Sequence, residues 1–411
     1  MVKAYDSVFI DKEMNDIALK DSLNFIKYNY SKSKLSRKIK SVPEEIEYAN
    51  NVSKWKNEAK EPIIKYFNYS NDIKFSTEVL DNLKTLHPKD SVLNKNIRIL
   101  SGFIANGYTD EYLESLKKNA AELLQKQLNI EYNEREFLGD NPNDINDINY
   151  GYGKVNNNVD IYSHGTIVTG VILKGTPEIK IMPLNIIGHG SSYDKDIAIA
   201  IRYAVDNGAK VINMSFGKMN SLHKEWVDDA IKYAEKNNVI IISAAGNYCK
   251  NTDSLIDFLY PDDRDSNENE FASNFMKVGG STRFPNENLK YNYSNYGAMN
   301  VDVFAPAEEI YTTFPDNSYR FDTGTSLASA VTSKVAALLF SYYPNLTATE
   351  VKQIIMDSGI EYTFPVKMPT KENKNSTLPF NKLSKSGKIV NAYNALIMAD
   401  SISKRNKRKQ D

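Results

Sequence analysis

The sequence has one cysteine, four histidines and two tryptophans in 411 residues. The lone Cys249 excludes an intrachain disulfide, so the fold must rest on burial of apolar surface. No stretch approaches the run of about 18 apolar residues that a transmembrane helix needs. The formal net charge of −1 gives no basis for nucleic-acid or anionic-membrane binding. The basic ending SKRNKRKQD, within residues 401–411, reads as a short solvated tail. The first residues, MVKAYDSVFIDKEMNDIALK, lack the cationic, apolar and small-residue succession of a signal peptide. Absence of G-x-G-x-x-G and of a P-loop argues against a nucleotide-binding protein. Absence of G-x-S-x-G argues against an α/β-hydrolase, and no His/Cys cluster suggests zinc.

What is present falls into two textures. Residues 1–130 are rich in Lys, Asn, Glu and Tyr, with apolar residues at helical spacing. In TDEYLESLKKNAAELLQKQLNI, one stripe is formed by Tyr112, Leu113, Leu116, Ala120, Leu123, Leu124 and Leu128, and Thr109 is placed to cap it. This region is expected to be helical and largely at the surface. Residues 131–160 are turn-rich and acidic, where Asp140, Asp144 and Asp147 are expected to cap Asx-turns. Beyond them, KIMPLNII, KVINMSFG and VIIISAAGN are short apolar runs suited to buried parallel strands. They alternate with DKDIAIAIRYAVDNGA and HKEWVDDAIKYAEKNN, which are helical. The expected architecture is α/β: a doubly wound, mostly parallel sheet over residues 131–400, with an N-terminal helical region over 1–130.

Functional groups in such sheets collect at the carboxyl ends of strands. SAAGN places Asn247 there. In FDTGTSLASAVTSKVAALLFSYYP, a turn leads into a helix halted before Pro344, with Ser326 in its first turn. Unpaired N–H groups at that position favour developing negative charge. SHGTIVTGVI, holding His164, also looks like a helix start. A serine, a histidine and an asparagine amide are the parts of acyl transfer: nucleophile, general base and oxyanion donor. Each alone has a bland explanation, as N-cap, structural histidine or turn residue.

HGTIVTGVI, VINMSFG, SAAGN, YSNYG, VDVFAPA and GTSLASAV stand in the order found in subtilisin-like serine proteases, which the chain resembles over residues 131–400. The resemblance implies a serine endopeptidase acting on extended polypeptide. His164 would be the base, Ser326 the nucleophile, and Asn247 with the Ser326 N–H the oxyanion donors. Ser215, Phe216 and Gly217 would pair with substrate, and Ala245 and Gly246 would line the neighbouring specificity pocket. Many such enzymes bind calcium, but no ligand set carries over to this chain, and no other cofactor is implied. The chain looks like a Bacteroidetes-type branch with a long insertion between the aspartate and histidine motifs, 1–130 being that insertion. Two positions depart from the family: Ile167 where a second histidine is usual, and Ala330 where a proline is usual.

A third departure concerns the triad acid. The family's motif, an apolar run followed by Asp, Ser/Thr and Gly, does not occur. Asp160 aligns with a residue that is not the triad acid. Asp6, in VKAYDSVFID, has a following serine but Val8 in place of the glycine, and is the weak candidate. The resemblance implies that the first core strand, its aspartate and a leader for an extracellular or periplasmic location precede Met1. The alternative is a catalytically impaired pseudoprotease that binds peptides.

Overall fold

The computed structural model describes residues 22–68, 75–127, 129, 138–151, 159–186, 192–254, 259–265, 267, 269–368, 373 and 375–410. Contacts divide the described residues into two compact units, one holding residues 29–134 and the other residues 22–28 and 135–410.

The first unit is helical. α1 spans Ser22–Ile64, followed by α2 Thr77–Leu86, α3 Ser91–Ala105 and α4 Asp110–Glu122. Ser76, Asp90 and Thr109 each cap a helix by accepting a backbone N–H, the bond from Tyr112 to Thr109 being 3.1 Å. Ile63, Leu80, Leu83, Leu93, Ile97 and Leu100 form its main core, and Ala49, Val52 and Leu113 a smaller one. The stripe expected on α4 is narrower than its spacing suggested. Leu113 and Ala120 are buried, but Tyr112 is exposed, its hydroxyl suiting the wet edge of the stripe. Leu128 lies outside the described residues.

The second unit runs through α5 Val159–Leu173, α6 Asp194–Asp206, β1 Val211–Met214, α7 Lys224–Lys236, β2 Ile240–Ala244, β3 Phe275–Ser281 and β4 Val303–Pro306. A hairpin of β5 Ile310–Phe314 and β6 Ser318–Asp322 leads into α8 Thr325–Tyr342 and α9 Ala348–Ser358. β7 Ile360–Glu361, the pair β8 Pro365–Lys367 and β9 Thr377–Pro379, β10 Lys388–Ile389 and α10 Ala392–Gln410 complete it. The main sheet has the order β1-β2-β3-β4-β10-β7, parallel except where β7 meets β10. It is the mostly parallel α/β sheet that the alternating runs predict.

Both faces of the sheet are covered, which is why its strands are continuously apolar rather than alternating. Ile240, Ile242, Met276 and Val278 face α8 and α9 through Val335, Leu339, Ile354 and Ile355. Ile241 and Phe275 face α6 and α7 through Ile201, Val227 and Ile231.

KIMPLNII departs from its expectation. Residues 180–186 form no strand, and Ile181, Met182 and Leu184 are exposed. Pro183 has no N–H to give a ladder, and among the described residues β1 stands at the sheet's edge and pairs with β2 only. Asp144 caps an Asx-turn as expected, accepting from the Asn146 N–H, whereas Asp147 accepts from the Asn141 N–H six residues back and so closes a wider loop. Asp140 does not: its carboxylate is buried 2.8 Å from the Lys195 ammonium, also buried. The final basic residues continue α10 rather than forming a separate tail.

Candidate functional site

β1 and β2 end side by side, and their extensions Ser215–Gly217 and Ala245–Asn247 meet the first turn of α8. Gly324 opens that turn at φ +154°. Ser326 follows one residue into the helix, where its N–H has no carbonyl a turn behind to bond. Its hydroxyl donates to the Ser215 carbonyl at 3.1 Å. The Ser215 hydroxyl donates in return to the Ser326 carbonyl at 2.8 Å and lies 2.8 Å from the Ser329 hydroxyl. Asn213 supports Ser215 from β1, and Ser333 supports Asn213 from α8. This polar ladder fixes the serine turn against the end of the strand.

Asn247 is held by its carbonyl side. Oδ1 accepts from the Thr325 N–H at 2.9 Å and the Thr325 hydroxyl at 3.0 Å, which leaves the Nδ2 amide as the group able to donate. The Gly246 N–H bonds the Thr325 hydroxyl at 3.1 Å, and Gly246 stands at φ +102°, where a side chain would be strained. Asn295, wholly buried, braces the same turn. It gives its amide to the Ala245 carbonyl and accepts from the Tyr248 and Lys250 N–H groups.

His164 lies inside α5, which begins a turn earlier than the sequence suggests. One turn further on, Ile167, Val168, Val171 and Ile172 pack against Leu327 and Ala330 of α8. The two family departures, Ile167 and Ala330, thus sit in one apolar cluster between the histidine helix and the serine helix. The β5–β6 hairpin joins the same cluster through Ile310 and Phe314 and clasps α5. Thr312 and Thr313 donate to the Ile167 and Thr166 carbonyls at 2.6 and 2.8 Å. Gly170 permits this closeness, since a Cβ there would stand 2.1 Å from the Thr313 hydroxyl.

Loss of water around the imidazole holds the His164 pKa below the ordinary histidine value, and the charge of Asp322 partly offsets this. No hydrogen bond joins His164 to Ser326, whose hydroxyl is turned to Ser215. No carboxylate among the described residues hydrogen-bonds the imidazole. Asp6 lies outside the described residues, as does the side chain of Asp160. The structure therefore assembles Ser326, Asn247, Ser215 and Gly246 at one crevice, with His164 on the adjoining helix.

Phe216 points into the α6–α7 core, so of the expected substrate segment it is the backbone that is left to pair. Thr325, Asn295 and Asp322 had no role in the sequence reading. The first two occur in GTS and YSNYG, where the motif itself was the signal. Among the described residues, no group of three or more His, Cys, Asp or Glu side chains is placed to hold a metal ion. Buried carboxylates are instead met by ammonium groups, Asp140 by Lys195, Asp194 by Lys218 and Asp302 by Lys352. That does not fit a calcium cage of about six to eight oxygens. No helix among the described residues is long and apolar enough to cross a membrane.

The cell wall-associated protease of Bacillus subtilis (strain 168) is 30% identical over 223 residues, covering 52% of this chain and 23% of that protein. The thermophilic serine proteinase of Bacillus sp. (strain AK1) is 32% identical over 219 residues, covering 50% of this chain and 49% of that protein. The chain therefore spans half or less of the length of these two relatives. A chain from the subtilase cytotoxin SubAB assembly shares the fold, with TM-score 0.51 at 22% identity over 62% of this chain and 82% of that one. Residues 29–385 match the subtilase family, and over that length the chain belongs to it.

Proposed function

We propose that the chain is a serine endopeptidase of subtilase type that cleaves extended polypeptide. The observation that carries this reading is the shared anchorage of Asn247 and Ser326. Thr325, the residue before the serine, holds the asparagine carbonyl side, so an amide donor and a hydroxyl are fixed to one helix turn. In the proposed reaction His164 takes the Ser326 proton as the oxygen bonds to the scissile carbonyl carbon. The carbonyl oxygen becomes an oxyanion held by Asn247 Nδ2 and the Ser326 N–H. Collapse breaks the C–N bond, and the imidazolium returns the proton to the leaving amine. Water, deprotonated by His164, then releases the acyl group and restores the serine.

His164 must approach the serine for the first step, which requires Ser326 to leave the Ser215 carbonyl. Ser215 and Gly217 are proposed to pair with substrate, and Ala245 and Gly246 to flank the side chain before the scissile bond. One observation favours a second reading, a peptide-binding protein with impaired turnover: no described carboxylate orients His164. Reaction with a fluorophosphonate probe tests both. Labelling of the chain but not of Ser326→Ala is expected. Equal labelling of both would remove the nucleophile assignment, and labelling of neither would support the binding protein.

A further inference from the structure

The two backbones that flank the crevice are not separated by an open slot. Leu259 lies between them. A Cβ on Gly246 would stand 2.5 Å from Leu259 Cδ1, and one on Gly217 would stand 3.3 Å from both Leu259 Cβ and Cδ1. The leucine thus touches both glycines, and it is 5% exposed. It is also firmly held. The next residue, Tyr260, exchanges two backbone hydrogen bonds with Lys218, of 2.8 and 2.9 Å. The Leu259 carbonyl accepts from the buried Lys277 ammonium at 2.6 Å. Lys277 comes from β3, so the leucine is tied to the sheet on one side and to the β1 extension on the other.

We propose that Leu259 is a specificity residue that closes the pocket for the side chain on the acyl side of the scissile bond and restricts it to glycine, alanine or serine. The proposal rests on the peptidase reading, because it takes Ser215–Gly217 and Ala245–Gly246 as the walls of that pocket. A substrate strand laid along Ser215–Gly217 with its carbonyl at Asn247 directs that side chain toward the gap between Gly217 and Gly246. With Leu259 there, a large side chain has to displace a leucine pinned through its own carbonyl and through its neighbour. Interiors are close-packed and yield little. A small side chain displaces nothing.

The test uses the full chain carrying Ser326→Ala, so that binding is read without turnover. Calorimetry compares two peptides of identical sequence ending in Ala or Phe, as the acyl-side cleavage products would. The Ala-ended peptide is expected to bind at least about tenfold more tightly, the discrimination that a few methylene groups give in a closed pocket. Adding Leu259→Gly should reverse the order. Leu259→Ala, a milder change checked by thermal melting, should narrow the gap. Equal or tighter binding of the Phe-ended peptide with Leu259 in place overturns the proposal, as does a preference unmoved by both variants or no binding of either peptide. Failure of the peptidase reading looks different: the Ala preference persists while Ser326 in the parent chain takes no fluorophosphonate.

Discussion

Two neighbouring strands of the same sheet, β1 and β2, have similar sequences and different fates. β2, IIISA, is buried at every residue, with β1 on one side and β3 on the other. Among the described residues β1, VINM, pairs with β2 alone, and its Val211, Ile212 and Asn213 are only half-buried. The apolar segment 180–186, ahead of α6 in the chain, runs without a ladder and exposes Ile181, Met182 and Leu184. Apolar character therefore does not settle burial in a parallel sheet; the number of paired neighbours does. The candidate site stands at the end of both strands. Asn247 follows the fully enclosed strand, and Ser215, which holds Ser326, follows the open one.

The largest expected effect is on stability and breaks the comparison directly. Ile242→Ala in β2 leaves a cavity beneath α8 and should cost about 3–4 kcal/mol. Ile212→Ala in β1 should cost about 1 kcal/mol, because much of its surface already meets water. Urea unfolding of the two variants checks this; equal losses would mean that β1 is as enclosed as β2 in solution.

A somewhat smaller effect concerns His164. In subtilisin, loss of the acid alone costs about 3 × 10⁴ in kcat and loss of the histidine about 2 × 10⁶, so a histidine without its acid accounts for about 10². His164→Ala should then slow fluorophosphonate labelling of Ser326 by about 10². A loss nearer 10⁶ would mean that a carboxylate orients His164 after all.

The third prediction concerns the enclosed side of the sheet, where charge is buried. Asp263 lies 3.9 Å from Lys352, and burial pushes its pKa up to about 7, with Asp302 and Glu270 adding to the rise and Lys352 and Lys385 opposing it. The folded chain thus holds a proton that the unfolded chain releases at ordinary carboxylate pH. Stability from this group is full below about pH 4 and is lost as pH rises through about 7, at most about 1.4 kcal/mol per pH unit. Asp263→Asn should flatten the fall in Tm between pH 5 and 8 by a few degrees. A parent Tm already as flat as the variant's would exclude a raised Asp263.

The same contrast explains what the sequence could tell. β2, α6, α7 and α8 were legible because period and apolar run length mark them locally. His164, Ser326 and Asn247 stood out because glycine, serine and asparagine at strand ends and helix starts have few other uses in that combination. KIMPLNII was misread because its apolarity is real while its ladder depends on a neighbour that composition does not disclose. Asp140 was misread for a similar reason, since its partner Lys195 is 55 residues away. Leu259 carries no local signal. Its position follows from Lys218 and Lys277, which approach it from two other segments.

Asp322 offers the smallest effect, and one whose sign can be worked out. It ends β6, accepts from Arg320 at 2.6 and 3.1 Å and from the Thr323 N–H at 2.7 Å, and belongs to the hairpin clasped to the His164 helix. Burial lowers the His164 pKa and the Asp322 charge opposes that. Asp322→Asn removes the opposition, so the imidazole stays neutral to lower pH. The acid limb of Ser326 labelling should move to lower pH, with the plateau rate unchanged. Arg320→Gln removes a cation beside Asp322 and should move the limb the other way. Asp322 is partly exposed, so both displacements should shrink as salt is raised. A limb that moves in the same direction for both variants would mean that the hairpin acts on His164 by packing rather than by charge.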